Sequence, residues 1–318
     1  MNEFEFIENL KKKYDLGLVG DDCAVLPQNA ENDLLITSDM LVEDIDFRLD
    51  WTSAELLGHK ALAVSLSDIA AMGAEPTWAL LSVGIPETLW NVKFLDRFYE
   101  GWHALAAVHG VTLAGGDVSR TSAKLVIDST VCGEVPTGTA ITRSGAKVGD
   151  SIYVTGPLGG AAAGLRLLEA GVRRGVDDGE EQAPFLMKQL KPKPQLVVGA
   201  DIRRRSLATA MIDISDGLSS DLAHICRSSG VGAVISANDL PFESEVMNAA
   251  GSIDAMLDLV LHGGEDFELL FTGSQERISK ALGNEVFRIG EITENVGTME
   301  FNRDGKVEIL APGGYRHF

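Results

Sequence analysis

Asp33-Leu34-Leu35-Ile36-Thr37-Ser38-Asp39 (DLLITSD, 33–39) is a short apolar run that flows into two hydroxyls and a carboxylate. Its apolar residues between polar flanks predict a strand, and the Ser-Asp step predicts the turn that ends it. The same theme recurs along the chain. Gly20-Asp21-Asp22, Gly115-Gly116-Asp117, Asp213-Ile214-Ser215-Asp216-Gly217 and Gly263-Gly264-Glu265-Asp266 each place acids beside glycine next to an apolar run. Strands that end in acidic turns can deliver carboxylates to one cleft. An oxygen-rich cluster of that kind suits a hard cation such as Mg²⁺, which shares its shell between a few carboxylates, water and phosphate. The adjacent glycines let backbone N–H groups approach phosphate oxygens. Asp and Gly also favour turns for purely local reasons, and for any single turn that reading stays open.

Working outward, residues 53–73 predict a helix. Ser53 is its cap, Glu55 sits in its first turn, and Leu56, Leu57, Leu62, Leu66, Ile69 and Ala70 recur at helical spacing. Strands are predicted at 78–83, 111–114 and 124–131, with a helix over 92–109. Residues 136–150 (PTGTAITRSGAKVGD) are rich in Gly, Thr and charge and predict a domain junction. A strand at 151–155 then leads through a Gly turn into a helix near 160–170. Residues 171–184 (GVRRGVDDGEEQAP) read as a polar surface loop. Further strands are predicted at 209–214, 231–236, 266–272 and 285–290, with helices near 218–229 and 244–249. The fold class is therefore α/β (mixed α+β) in two domains, 1–140 and 141–318.

Composition narrows the function. The 318 residues carry 27 Lys plus Arg against 47 Asp plus Glu, a net charge of −20. Nucleic-acid binding needs the opposite sign to displace phosphate counterions. Three well-separated cysteines, Cys23, Cys132 and Cys226, form neither a metal-ligand spacing nor a disulfide framework. No stretch has the ~18 apolar residues of a membrane span, and the charged N-terminus lacks a signal-peptide core. A cytoplasmic protein with no membrane partner is expected.

Asp68 stands apart because it interrupts an apolar helical stretch, VSLSDIAAMGA. A carboxylate there must be hydrogen-bonded to a neighbouring loop or serve as a ligand, and both readings stay open. Other chemistries lack their signatures: there is no GxxxxGK[ST], no kinase HRD or DFG set, no GxSxG and no HExxH. The turn after the strand at 151–155 carries Gly at 156, 159, 160 and 164, which is not GxGxxG. It opens a helix, so either a phosphate or a close strand–helix turn fits there.

Seven segments taken together resemble the thiamine-monophosphate kinase family: GDDCAV (20–25), TSDMLVEDIDF (37–47), ALAVSLSDIAAMGAEP (61–76), GGDVSR (115–120), TRSGAKVGDSIYVTG (142–156), DISDGLSSDLAHI (213–225) and HGGEDFELLF (262–271). The resemblance spans roughly residues 17–318 in the family's order. It implies the two-domain aminoimidazole-ribonucleotide synthetase-like fold, with an N-terminal sheet domain that binds ATP and Mg²⁺ and forms a homodimer, and a C-terminal α/β domain. The implied substrates are ATP and thiamine monophosphate, with several Mg²⁺ ions per site; a K⁺ requirement stays open. By motif, Asp22, Thr37, Ser38, Asp39, Asp68, Asp117, Asp213 and Asp216 match metal positions. Gly116, Asp117, Arg143 and Ser215 match ATP contacts. Asp213, Asp216 and Arg143 carry the transfer, and Glu265 and Tyr315 match substrate contacts.

One departure is specific to this chain. The family usually reads VEGxHF where this sequence has VEDIDF, so Asp44 stands for a Gly and Asp46 for a substrate-touching His. An ionised Asp46 cannot donate to a phosphate. Arg120 and Lys147 are candidates for offsetting further charge. A non-enzymatic ATP- or metal-binding protein of the same fold is the second reading, against which the complete set of Asp motifs counts. No reactive Cys–Lys pair of the selenophosphate synthetase kind accompanies Cys23, which reads as a small core residue.

Overall fold

The computed structural model describes residues 3–14, 18, 20–173 and 179–317. After α1 (Glu3–Tyr14), the first half runs β1 (Ala24–Pro27), β2 (Asn32–Val42), α2 (Ala54–Ala71), β3 (Glu75–Pro86), α3 (Val92–His109), β4 (Thr112–Thr121) and β5 (Val126–Pro136). The second half runs β6 (Ser151–Val154), α4 (Gly160–Glu169), α5 (Gly179–Leu190), α6 (Leu196–Arg204), β7 (Ala210–Asp213), α7 (Leu218–Ser229) and β8 (Gly232–Ser236). It continues through α8 (Ser244–Ala250), α9 (Ile253–His262), β9 (Leu269–Gly273), α10 (Gln275–Leu282), β10 (Phe287–Thr293), β11 (Met299–Arg303) and β12 (Lys306–Ile309). Two sheets result, ordered β1-β2-β5-β3-β4 and β12-β11-β8-β10-β6-β9-β7.

Helix α2 joins the two halves. Ser53 caps it by accepting from the Leu56 N–H, as the sequence predicts. Its residues are apolar on nearly every side, which suits a helix buried all round. It packs on β2, β3 and β5 of the first sheet, on α3 and α6, and on β7 of the second sheet. One continuous core therefore holds α2 residues Leu62, Leu66 and Ile69 together with Met211, Leu269 and Phe271 from the second half. A separate core lines the other face of the second sheet, against α7 and α9. Asp68 rides on this central helix, so its carboxylate is delivered to the junction of the two sheets. Among the described residues no helix is long and apolar enough to cross a membrane.

Two of the five predicted acidic turns are strands. β2 continues through Thr37-Ser38-Asp39 to Val42, in unbroken antiparallel register with β5. β4 runs through Gly115-Gly116-Asp117 to Thr121, parallel to β3. Ladder hydrogen bonds to a neighbouring strand outweigh the local turn preference of Ser, Asp and Gly, which is a tertiary effect. The predicted loop at 171–184 is also corrected. α5 begins at Gly179, with Pro184 inside it, while residues 174–178 lie outside the described ones. Its second half buries Phe185, Leu186 and Leu190, and Leu186 and Leu190 pack with Leu56 and Leu168. The polar first turn masked that apolar stripe. Finally, the strand predicted at 266–272 starts at Leu269, because Glu265 and Phe267 adopt positive φ (65° and 51°).

Candidate active site

The pleat of β2 sorts its own side chains. Leu35, Thr37 and Leu41 are buried on the α2 side, whereas Ser38 and Met40 are exposed on the opposite face. Asp39 falls in phase with Thr37, and α2 supplies the partners of both. The Ser65 hydroxyl donates to Asp39 at 2.7 Å, the Thr37 hydroxyl donates to Asp68, and Ser67 donates to Asp213 at 2.6 Å. Each hydroxyl fixes the orientation of one carboxylate, as outer-sphere donors do around bound cations. β7 ends at Asp213 and points it at α2 from the second sheet. Asp22, from the bend before β1, completes the set.

Carboxylate oxygens of Asp22, Asp68 and Asp213 all lie within 4.8 Å of one another. Arg143, from the junction between the halves, pairs with Asp22 at 2.6 Å, and its backbone N–H donates to Asp21 at 2.9 Å. The second oxygen of Asp22 is buried and has no hydrogen-bond partner. Burial pushes Asp213 up to about 8, with the Asp22 charge adding to it. Burial likewise raises Asp39 to about 6, and it carries Asp68 well above the usual carboxylate range, helped by Asp39 and Asp213. Burial opposes the charge on Arg143, yet the adjacent Asp22 holds that guanidinium protonated. Converging carboxylates that outnumber the facing Arg143 guanidinium, and an orphaned buried oxygen, are what a bound divalent cation would satisfy: it prefers hard oxygen donors and would hold these acids ionised. The residues present therefore fit Mg²⁺.

Beyond this centre opens a cleft of about 360 Å³, whose lining includes Asp39, Asp46, Ser215, Asp216, Glu265 and Tyr315. Its wall is three backbone segments laid side by side. The Ser215 carbonyl accepts from the Glu265 N–H at 2.8 Å, and the Asp216 carbonyl accepts from the Tyr315 N–H at 3.0 Å. The approach is so close that a Cβ on Gly264 would sit 2.5 Å from the Ser215 oxygen, and one on Gly314 would sit 2.4 Å from the Asp216 oxygen. Glu265 pairs with the buried Lys60 of α2 at 2.6 Å. Asp266, in contrast, turns away: it accepts from Gly159 and Ala161 N–H at 2.6 and 3.1 Å. The α4 N-terminus is thus filled by a side chain of this chain, which settles the strand–helix turn reading over a phosphate there.

The remaining predicted residues lie elsewhere. Ser38 and Asp117 occupy the outward face of the first sheet, where Asp117, Ser82, Asp128 and Met40 share one cross-strand row. Ser38 bonds Asp128 and Thr130, each at 3.2 Å. At Gly116 a Cβ would lie 1.8 Å from the backbone oxygen of Leu81, its partner on β3, so the pairing of β4 with β3 alone already demands glycine. Asp44 occupies φ 71°, the region that favours glycine, and pairs with Lys124. Asp tolerates that conformation better than most residues, which accounts for an Asp at a Gly position. Asp46 accepts from the Val42 N–H at 2.7 Å, so one oxygen holds the local turn. Cys23 is buried in the core. Arg120 is exposed beside Glu87, and Lys147 is exposed.

Several residues of the site carry no sequence signal that singled them out. Lys60, Ser65 and Ser67 look like ordinary helix positions; only their i, i+5 and i, i+7 placement on one buried helix relates them. An apolar cavity of about 140 Å³ between α3 and the first sheet, lined by Trp90, Phe94, Tyr99 and Val118, also went unread.

The AIR synthase related protein N-terminal domain matches residues 20–135, and the corresponding C-terminal domain matches residues 147–299. The thiamine-monophosphate kinase of Escherichia coli (strain K12) is 38% identical over 321 residues, covering 99% of this chain and 95% of that protein. That of Bacillus subtilis (strain 168) is 35% identical over 333 residues and covers 100% of both. A solved structure of AaThiL complexed with AMPPCP and TMP is 32% identical, with a TM-score of 0.88, covering 100% of this chain and 97% of the other.

Proposed function

The chain belongs to the thiamine-monophosphate kinase family of AIR-synthase-related proteins, and from that premise we propose that it transfers the γ-phosphoryl group of ATP in line to the phosphate of thiamine monophosphate. The products are ADP and thiamine diphosphate. The observation that carries this reading is the meeting of Asp22, Asp68 and Asp213 beside Arg143, with the neighbouring Asp39 lining a cleft large enough for a small substrate. The relative solved with AMPPCP and TMP supports the pairing of a nucleotide with a thiamine phosphate.

The chemistry asks little proton transfer of the protein. A phosphate monoester has its second pKa at ~6, so the acceptor is mostly dianionic at neutral pH and needs no general base. Repulsion is the obstacle: two unit charges 4 Å apart interact by ~4 kcal/mol at an effective dielectric of 20. Mg²⁺, held by Asp22, Asp39, Asp68, Asp213 and Asp216 with Thr37 beside them, would neutralise that charge, and Ser38 and Asp117 would serve a further ion on the outward face of the first sheet. Arg143 offsets more of it from a fixed position, since Asp22 anchors its guanidinium. The Ser65, Ser67 and Thr37 hydroxyls keep the carboxylates aimed, so no reorganisation is required during transfer. Gly116, Asp117 and Ser215 contact ATP in this reading, and the apolar cavity beside Val118 takes its base. Glu265, Tyr315 and Asp46 face the thiamine moiety.

³¹P NMR of the protein with MgATP and thiamine monophosphate tests the assignment. Growth of a diphosphate ester together with ADP is expected. ADP with free orthophosphate, or no ATP loss, would overturn it. Asp46→His supplies a donor in place of a carboxylate, and is expected to lower KM for thiamine monophosphate several-fold with little change in kcat. An unchanged KM would take position 46 out of the substrate contact.

The outward face of the first sheet also supports a homodimer. β4 is an edge strand ten residues long, and its unpaired backbone is a template for a second copy. Leu80 and Met40 are exposed on the same face, at 38% and 59%. Light scattering is expected to give twice the 34.0 kDa chain mass, and a monomer at micromolar concentration would refute this.

A further inference from the structure

Gln189, at the end of α5, is buried, and it lines both the cleft and a small recess of about 10 Å³ behind it. That recess is near the smallest volume that holds one water-sized group. The side-chain amide of Gln189 donates to one oxygen of Glu265. The other oxygen of Glu265 receives the buried Lys60 ammonium at 2.6 Å, and Lys60 also reaches the Gln189 carbonyl oxygen of the backbone at 3.5 Å. What remains is the side-chain carbonyl oxygen of Gln189, which is buried and has no hydrogen-bond partner. A buried acceptor left without a donor is costly in a folded protein unless a ligand or water completes it.

Resting on the kinase reading above, we propose that Gln189 selects the heterocycle of the substrate: its side-chain oxygen accepts a hydrogen bond from the exocyclic amino group of the aminopyrimidine. The selectivity comes from a fixed orientation. Rotating the amide by half a turn would set its oxygen against the Glu265 carboxylate, and Lys60 holds that carboxylate in place. The amide therefore keeps its nitrogen on Glu265 and its buried oxygen as an acceptor without a donor. An amino group satisfies it, whereas an oxo group at the same ring position sets oxygen against oxygen and leaves both unpaired. A site built around a polar contact rejects an analogue that lacks it far more strongly than an apolar pocket does.

The test compares thiamine monophosphate with its 4-oxo pyrimidine analogue, both by kcat/KM and by calorimetric Kd. The wild-type protein is expected to favour the amino compound by about 10–100-fold in Kd. Gln189→Met keeps the length of the side chain and removes its polar atoms, and is expected to bring the preference to within about threefold. Gln189→Asn withdraws the carbonyl by one methylene and is expected to do the same, which covers the case where the Met variant fails to fold. Equal wild-type affinities, or a preference that survives in both variants, would overturn the inference. Binding reads the preference without turnover, so a protein that discriminates the two ligands yet makes no diphosphate would sink the kinase reading and leave this one standing.

Discussion

Asp213→Asn is expected to lower kcat by about three orders of magnitude while the protein still folds. The substitution preserves shape, and an amide oxygen can still accept from Ser67, which now meets Asp213 at 2.6 Å. What disappears is one carboxylate of the trio with Asp22 and Asp68, and with it the negative charge that a bound cation would hold ionised. Without a cation burial keeps Asp213 protonated in the native state while the unfolded chain ionises it, which opposes folding near neutral pH, so the melting temperature of the variant in EDTA should equal or exceed that of the wild type. Steady-state turnover with saturating Mg²⁺ decides the matter together with the two melting curves. Turnover within about threefold of wild type would remove Asp213 from the proposed mechanism.

The second large effect is on stability, and its sign follows from the raised carboxylates. In unfolded chains Asp titrates near ~3.9. In the native state Asp39 titrates at about 6 and Asp213 at about 8, both raised chiefly by burial. Between those limits the folded protein keeps protons that the unfolded chain has released. Stability must then fall as pH rises from about 4 to about 8, by up to ~1.4 kcal/mol per pH unit for each retained proton. Saturating Mg²⁺ should abolish this contribution, because a bound cation keeps the acids ionised in the native state. Asp266, raised to about 7 where it caps α4 outside the acidic centre, should keep its own smaller slope in either condition. Chemical denaturation across pH 4–9, with EDTA and with Mg²⁺, measures both slopes. Identical slopes in the two series would mean that no cation enters this centre.

Most regular elements were legible because their signals are local. The Ser53 cap and the apolar spacing after it mark α2, and the helix expected near 92–109 is α3, which the structure shows capped by Asn91. The errors share a cause. Ser38, Asp39 and Asp117 look like turn residues until a neighbouring strand pairs with them, and Pro184 looks like a loop residue until Phe185 and Leu186 find a core. In both cases long-range partners outweighed the local preference. Shorter pieces such as α6, α10 and the β11–β12 hairpin were unread, since each is too brief to show a period of its own.

The sequence by itself determined which side chains could do the chemistry: a set of acids beside glycines, one Asp inside an apolar helix, an arginine in the linking segment and an ordered set of family motifs. It also determined the departure at Asp44 and Asp46. Only the tertiary structure decided which of those residues meet. Asp22, Asp68 and Asp213 converge because strand order and a shared core place the end of β7 against α2, and no local propensity encodes that distance. The pleat of β2 then divides neighbours, sending Thr37 to the buried side and Ser38 to the outward face. Lys60 and Gln189 acquire their roles in the same way: two unremarkable positions, one on a helix of each half, join the half-buried Glu265 of the loop in one polar array when the two halves close around α2.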